Sequence, residues 1–578
     1  MGETTDPVSQ ALPPAGVSGA CFKLIEAIFE LIVPLVMADM IDVGVARGDT
    51  AYIWQRGALL VLLGVVGLAS SLTCQTMASR ASQGVGTDLR RSLFHHINTL
   101  SWRELDRFGT PTLITRMTSD INQLQTAVAM LIRLVVRAPF LVIGAVIMAM
   151  RIDLHLSLVF LAIVPLVALV LYIVMSRSVP FFKTIQKKTD RVALITRENL
   201  SGARVVRAFR KQESEQQRFD AACDDLAQNA IAIGKLNAVL SPFSFLILNF
   251  GIVAILWFGG VRVDTGYLTQ GEVVAFVNYM SQILLALVVV ANLVVIFTKA
   301  AASASRINEV FDTTPSIRDE GNTPVSPVPD ASRVSFRGVD FSYYEGAENA
   351  LRQVNLDIPA GASVGVIGGT GSAKSTLVQL IPRLYDATDG QVLVDGVDVR
   401  RYPLSQLHQK VGMVPQGNLL FSGTVRDNLR WRNPSATDDD LWAALETAQA
   451  AEFIRSQPLG LDAPVSQGGA NFSGGQRQRL TIARALVGGP DILILDDASS
   501  ALDYATDAAL QKALRGLSPR PTVISVSQRV STVRRCDMIV VMDEGEVVGR
   551  GSHEELLRSC PTYQEISASQ MRGEEAKA

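Results

Sequence analysis

Residues 366–376 read VIGGTGSAKST: a glycine-rich turn, then Lys374 and Ser375, then an apolar run. The stretch nearly fits G-x-x-x-x-G-K-[ST], whose glycines turn backbone N–H groups towards phosphate oxygens at the start of a helix. SVGVIG (363–368) before it is continuous and apolar, as a buried strand requires, and STLVQLIPRLY (375–385) after it has helical spacing. The cradle therefore spans Gly368, Gly369, Thr370, Gly371, Ser372, Ala373, Lys374, Ser375 and Thr376. Lys374 is placed to neutralise β/γ-phosphates and the Ser375 hydroxyl to ligate Mg²⁺. One position departs from the pattern: Ala373 stands where the last glycine belongs, which puts a Cβ against the cradle.

Working outward, short apolar strands alternate with helical patterns from Val334 onward, the signature of an α/β domain over residues 333–578. VDFSYY (339–344) offers Tyr343 as a ring to stack on a base. In VGMVPQGNLLFSGTV (411–425), Gln416 follows a strand and is placed to reach Mg²⁺ or an attacking water. NFSGGQRQRLTIARAL (471–486) sets Ser473, Gly474, Gly475 and Gln476 at the start of an amphipathic helix, a second anion site. DILILDDASSALD (491–503) ends an apolar strand in Asp496 and Asp497, positions for a Mg²⁺ carboxylate and a water-activating carboxylate.

Towards the N-terminus the character changes. Apolar content is 48% and mean hydropathy is +0.25, which implies a membrane part. Apolar segments near 20–40, 57–77, 127–150, 155–176, 240–260 and 273–298 are each long enough to cross ~30 Å of hydrocarbon at 1.5 Å per residue. The expected membrane domain is 19–311, with six spans after a polar segment 1–18. The segments after spans two and four carry Arg90, Arg91, Arg103, Lys187, Lys188, Arg204, Arg207 and Arg210, whereas the short loops hold only Arg47, Arg151 and Arg262. The long segments, and with them both termini, are placed in the cytoplasm. Their helical periodicity, as in TDLRRSLFHHINTL (87–100) and ENLSGARVVRAFRKQESEQQRF (198–219), extends spans two to five as helices well below the bilayer. DTTPSIRDEGNTPVSPVPDAS (312–332) is a linker.

Three charges, Lys23, Glu26 and Glu30, interrupt the first span on one helical stripe. Intramembrane charges face a bundle interior or a water-filled cavity. Glu26 and Glu30 are the candidates for a cargo cavity; Lys23 is placed to pair with Glu26, and Glu30, without a partner on its own helix, either lines that cavity or bonds to a polar neighbour such as Asn249 or Asn292. A net charge of −2 gives no reason to expect a nucleic-acid partner, and five scattered cysteines suggest neither a disulfide framework nor a metal site.

GGTGSAKST, NFSGGQ, ILILDD, SSALD and the glutamine of VPQ, in this order after six spans, resemble an ABC exporter half-transporter over nearly the whole chain. The resemblance implies a polytopic helical membrane domain fused to a P-loop ATPase, and a bacterial inner-membrane dimer that sandwiches two Mg²⁺-ATP. In each sandwich, one chain gives the phosphate loop and the other SGGQ; Asp503 of SSALD joins the nucleotide-binding set by the same resemblance. Members with an active site end this strand in Asp-Glu and carry a switch histidine where VISVSQRVST (523–532) has Gln528. Asp497 and Gln528 are thus degenerate, while SGGQ is intact, as in one member of a heterodimer acting on amphipathic compounds or lipids. The rival readings are a homodimeric lipid flippase and an ATP-gated channel or regulator. Relatives also begin with a basic elbow helix, and residues 1–18 carry no Lys or Arg.

Overall fold

The computed structural model describes residues 14–319, 324–344 and 346–575, so most of the 1–18 segment and part of the linker lie outside the described residues. Two compact units form, Met1–Asn98 with Gly109–Thr313, and Thr99–Phe108 with Thr314–Ala578.

The first unit is a set of long helices: α1 (Pro14–Asp39), α2 (Thr50–Thr99), then, beyond the short α3 (Trp102–Phe108), α4 (Thr110–Ile152), α5 (Leu154–Ser201), the short α6 (Ala203–Ala208), α7 (Gln212–Asp264) and α8 (Gln270–Phe311). At 1.5 Å per residue, helices of 48 to 53 residues such as α2, α5 and α7 reach more than twice the hydrocarbon thickness, which is the extension the periodicity implied. Where capping is visible it is local. Asp153 accepts from the Leu156 N–H to start α5, and Thr269 with Glu272 forms a capping box on α8. Among the described residues, five helical segments are long and apolar enough to cross a membrane: Thr50–Thr99, Thr110–Ile152, Leu154–Ser178, Pro242–Asp264 and Gln270–Phe311. The expected first span falls in α1, whose 26 residues are long enough but carry four charges, Lys23, Glu26, Glu30 and the terminal Asp39, and it is not one of the five.

Those charges are paired. Lys23 Nζ meets Glu26 2.6 Å away, as expected. Glu30 does have a partner: Arg137 Nη2, on α4, lies 2.7 and 3.0 Å from its two carboxylate oxygens. The partner is on another helix, but it is neither of the two asparagines expected. Asn249 instead donates to the Phe245 carbonyl of its own helix, and the side chain of Asn292 lies outside the described residues. Tyr279, fully buried on α8, donates to the Leu31 carbonyl, so α1 is tied to both α4 and α8.

Among the described residues the second unit holds twelve strands: β1 (Val334–Phe341), β2 (Leu351–Ile358), β3 (Ser363–Gly368), β4 (Asp389–Val394), β5 (Val397–Asp398), β6 (Val411–Val414), β7 (Gly423–Thr424), β8 (Pro464–Val465), β9 (Ile492–Asp496), β10 (Thr522–Val526), β11 (Met538–Asp543) and β12 (Glu546–Gly551). An antiparallel sheet runs β2-β1-β4-β5, and a six-stranded sheet runs β12-β11-β3-β10-β9-β6, parallel except at β12. All residues of β3, β9 and β10 are buried, which explains their continuous apolar runs. The segment 99–108, read from sequence as part of the membrane half, belongs to this unit: Tyr385 donates to Asp106 at 2.6 Å, and the Ile317 N–H to Ser101 Oγ at 3.0 Å.

Candidate nucleotide site

Parallel strands deliver ligands to the crevice beyond their carboxyl ends. Four neighbours in the sheet, β3, β10, β9 and β6, each end in one of the motifs: the glycine turn, Gln528, Asp496 with Asp497, and Gln416. A pocket of about 340 Å³ lies there. It brings together Tyr343, Thr370, Gly371, Ala373, Lys374, Ser375, Thr376, Gln416, Asp496, Asp497 and Gln528, eleven of the residues singled out from sequence.

The turn is built by close backbone approach. A Cβ at Gly368 would lie 2.1 Å from the Met542 carbonyl, whereas at Gly369 and Gly371 it would meet open space, the room an anion needs. Gly371 has φ +86°, and Ala373 is left-handed too, at φ 64° and ψ 23°. The departure at Ala373 therefore acts through the backbone more than by crowding. A residue with a Cβ there pays about 1–2 kcal/mol that glycine does not, and its side chain packs against the apolar core. The helix that follows, α9 (Lys374–Gln379), is shorter than STLVQLIPRLY suggested. Pro382 disfavours helical geometry in the residue before it, and Arg383 turns left-handed at φ 57°.

Lys374, buried, folds back on the turn: its Nζ donates to Gly369 O at 2.6 Å, Gly368 O at 3.1 Å and Ser372 Oγ at 3.2 Å. Burial pushes its pKa down, against the pull of Asp496 and Asp497. Ser375 Oγ donates to Asp496 Oδ1 at 2.8 Å, and Asp496 is 1% exposed. Burial raises the pKa of both Asp496 and Asp497, and Asp497 raises that of Asp496 further. Asp497 sits at φ 51°, its N–H held by the Val526 carbonyl at 3.0 Å. A hydroxyl beside a carboxylate, with no group of three His, Cys, Asp or Glu among the described residues, suits Mg²⁺, which takes one or two protein oxygens and completes its shell from phosphates and water. The residues fit Mg²⁺-ATP.

Tyr343 lines the pocket but is already engaged. Its hydroxyl lies 2.8 Å from Thr376 Oγ1, and its ring packs edge-on against Phe341 and Tyr385. The signature residues are elsewhere. Ser473 caps the helix α10 (Gly474–Leu486) through a capping box with Gln476, Ser473 and Gly474 are exposed, and none of the four lines the pocket. Asp503 is likewise outside it: it caps α11 (Tyr504–Arg515), accepting from the Thr506 N–H at 2.9 Å. In the membrane unit, Glu30 and Arg137 line a separate cavity of about 240 Å³ with Gln282 and apolar side chains. Arg137 was missed from sequence, although a cation inside the apolar run 127–150 is a signal that an acid on another span faces it.

Comparison with known proteins decides the family. The ABC transporter transmembrane region matches residues 18–288, and the ABC transporter domain matches residues 351–500. An uncharacterized ABC transporter ATP-binding protein of Mycobacterium tuberculosis is 41% identical over 553 residues, 95% of this chain and 94% of that one. The chain belongs to the ABC transporter family. An ATP-dependent lipid A-core flippase of Desulfotalea psychrophila is 34% identical over 492 residues, 85% of this chain and 86% of that one. A solved bacterial Atm1-family ABC exporter with ATP bound shares the fold, with a TM-score of 0.80 at 24% identity over 97% of this chain and 99% of that one. This ABC exporter is a multi-pass inner-membrane protein with a cytoplasmic ATPase domain, and it couples hydrolysis of Mg²⁺-ATP to transport.

Proposed function

We propose that this exporter moves amphipathic small molecules or lipids as one half of a heterodimer, holding a weak ATP site of its own and lending its signature motif to the partner's site. One observation carries the reading. The pocket gathers Lys374, Ser375, Asp496, Asp497 and Gln528 and leaves out Ser473–Gln476, which start another helix with Ser473 and Gly474 exposed. A site assembled from one chain is incomplete, and the family works as dimers.

In this reading the turn from Gly368 to Thr376 and Lys374 hold the phosphates, Tyr343 faces the base, and Ser375, Asp496 and Gln416 hold Mg²⁺. The metal offsets charge on the phosphate oxygens. The weakness lies with the two groups that act on the water and the γ-phosphate. The Asp497 carboxylate is one methylene, roughly 1.3 Å, short of where a glutamate would put it. Misplacement by about 1 Å costs on the order of a hundredfold. Gln528 donates a hydrogen bond but cannot carry an imidazolium charge. ATP is held there and turned over slowly.

The membrane half has six spans in this reading, α1 crossing with its charges paired to Lys23 and Arg137. The lipid A-core flippase relatives support amphipathic cargo. With Glu30 paired, the stripe of α1 adds no free carboxylate for cationic cargo, and selection is assigned to the apolar walls and Gln282 of the adjoining cavity. The test is co-purification of the tagged chain from its native host, with the partner identified by mass and ATPase measured for the chain alone and for the complex. The expected result is little turnover alone and restored turnover in the complex; comparable rates from the single chain would sink the heterodimer.

A further inference from the structure

The switch loop has a support on the last helix of the chain. β10 stays in register with β3 through Ser527, whose N–H still reaches the Val366 carbonyl at 3.0 Å. There the ladder ends, and the short helix α12 (Val530–Val533) begins three residues later. The first N–H of a helix has no partner inside it. Arg529, the N-cap, supplies no side-chain cap bond, and its own N–H is taken by Ser527 Oγ at 3.0 Å.

The missing partner comes from α14 (Pro561–Glu575), which follows α13 (His553–Ser559). Tyr563 seats α14: it is fully buried, and its hydroxyl lies 2.7 Å from His553 Nδ1. Its ring packs in one cluster with Ile367, Val530 and Val533. Two turns on, Gln570 meets the loop with both ends of its amide. Oε1 accepts from the Val530 N–H at 2.8 Å, and Nε2 donates to the Gln528 carbonyl at 2.6 Å. The backbone fixes which end is which, because an N–H can only donate and a carbonyl only accept. One planar amide thus brackets Arg529 and fixes the peptide plane from which the Gln528 side chain leaves towards the pocket.

We infer that Gln570 is a positioning residue for the nucleotide site, acting through Gln528. The inference rests on the reading of Gln528 as the switch position. α14 is then part of the ATPase machinery: while it is seated the switch loop is held, and lifting it releases the loop through the backbone of Gln528, without a bond to any side chain of the pocket. Gln570 lies forty-two positions beyond Gln528 and meets only its backbone, so substitutions can separate support from contact.

The experiment uses the full-length chain co-purified with its partner, and reads release of labelled ATP under Mg²⁺ together with kcat and KM. Gln570→Leu keeps the length and removes both bonds. Gln570→Glu keeps an acceptor for the Val530 N–H and sets a negative oxygen against the Gln528 carbonyl. Both are expected to release ATP about tenfold faster, given that displacements near 1 Å carry effects up to a hundredfold, with thermal midpoints close to the parent. The deciding comparison is Gln570→Leu in a Gln528→Ala background, where a residue acting through Gln528 adds less than about twofold. Full additivity there, or parental release from Gln570→Leu while Gln528→Ala is impaired, overturns the inference and leaves the site reading intact. A Gln528→Ala variant indistinguishable from the parent overturns both.

Discussion

Two ends of one ATPase unit differ in how they are finished. At the carboxyl ends of β3, β9 and β10 the chain builds a pocket in which Lys374 and Asp496 are buried, the one bonded to the glycine turn and the other to Ser375, yet it places aspartate and glutamine at the two positions that, in the proposed function, act on the water and the γ-phosphate. At the start of α10 the chain builds almost nothing: an exposed serine, an exposed glycine and a capping box. The less elaborate end is the one with no departure from the family pattern. Phosphate contact through helix N–H groups and a hydroxyl needs no tuned pKa and no base, only an unobstructed helix terminus. Hydrolysis needs a base placed to within an ångström. In the proposed heterodimer the second demand is relaxed in one chain because the partner meets it. The first is not, because in that reading the terminus serves a site on the other chain.

The comparison breaks most visibly at Gly474. A Cβ there meets no atom within 4 Å, and an acidic residue in the first turn suits the helix dipole, so Gly474→Asp should leave the fold of the chain intact. It sets a negative charge where a phosphate must approach. Turnover of the complex is expected to fall by about a hundredfold or more, the scale of losing one electrostatic contact in a transition state, while Mg²⁺-ATP binding by the single chain is unchanged. A loss of single-chain binding would mean that Gly474 acts within its own chain.

The opposite end should respond less, and in the other direction. Asp497→Glu with Gln528→His restores reach and charge and is expected to raise single-site turnover in the assembled complex by about tenfold, part of the hundredfold that a misplaced base costs; Ala373 limits the gain. Asp497→Asn alone should leave most of the complex's ATPase. Single-turnover assays with labelled ATP resolve the two sites, and a greater loss from Asp497→Asn than from Gly474→Asp would reverse the assignment of strong and weak ends.

What the sequence revealed depended on how far apart the interacting groups lie. SVGVIG and ILILD were legible as strands because burial on both faces leaves an unbroken apolar run. The pocket was legible because each motif sits at a strand end, and strand ends in a parallel sheet meet. Pro382 shows the limit of periodicity: apolar spacing continues through it and the helix does not. The pairing of Glu30 with Arg137 spans 107 positions and that of Gln570 with the switch loop about forty, and no local pattern encodes either. Asp503 was assigned by family order, yet in the single chain its carboxylate is occupied in capping a helix. The left-handed turn at Ala373 was hidden because the substitution reads as a question of size when it is one of φ.

The smallest effect expected concerns protons and belongs to the pocket alone, since Ser473, Gly474, Gly475 and Gln476 do not titrate. Burial raises the pKa of Asp496 and of Asp497, and the charge of Asp497 adds to the rise at Asp496. A carboxyl group that is protonated cannot ligate Mg²⁺. The Mg²⁺-dependent part of ATP affinity should therefore fail, as pH drops, above the range of an ordinary aspartate. For folding the sign is reversed. A carboxyl whose pKa is higher folded than unfolded adds stability that is fully present below the unfolded value and is lost as pH rises through the folded one. Mild acid should thus weaken Mg²⁺ binding while easing the burial of both groups. Asp497→Asn separates these contributions. Removing the neighbouring charge lowers the pKa of Asp496, so Mg²⁺-dependent affinity should persist to lower pH than in the parent, while at neutral pH it is slightly weaker for want of one negative charge near the metal. Titration of a fluorescent ATP analogue against the single chain, with and without Mg²⁺, from neutral to mildly acid pH, measures both limbs. An acid limb that does not move in Asp497→Asn would mean that the two carboxylates do not sense each other, and that burial alone sets the proton affinity of Asp496.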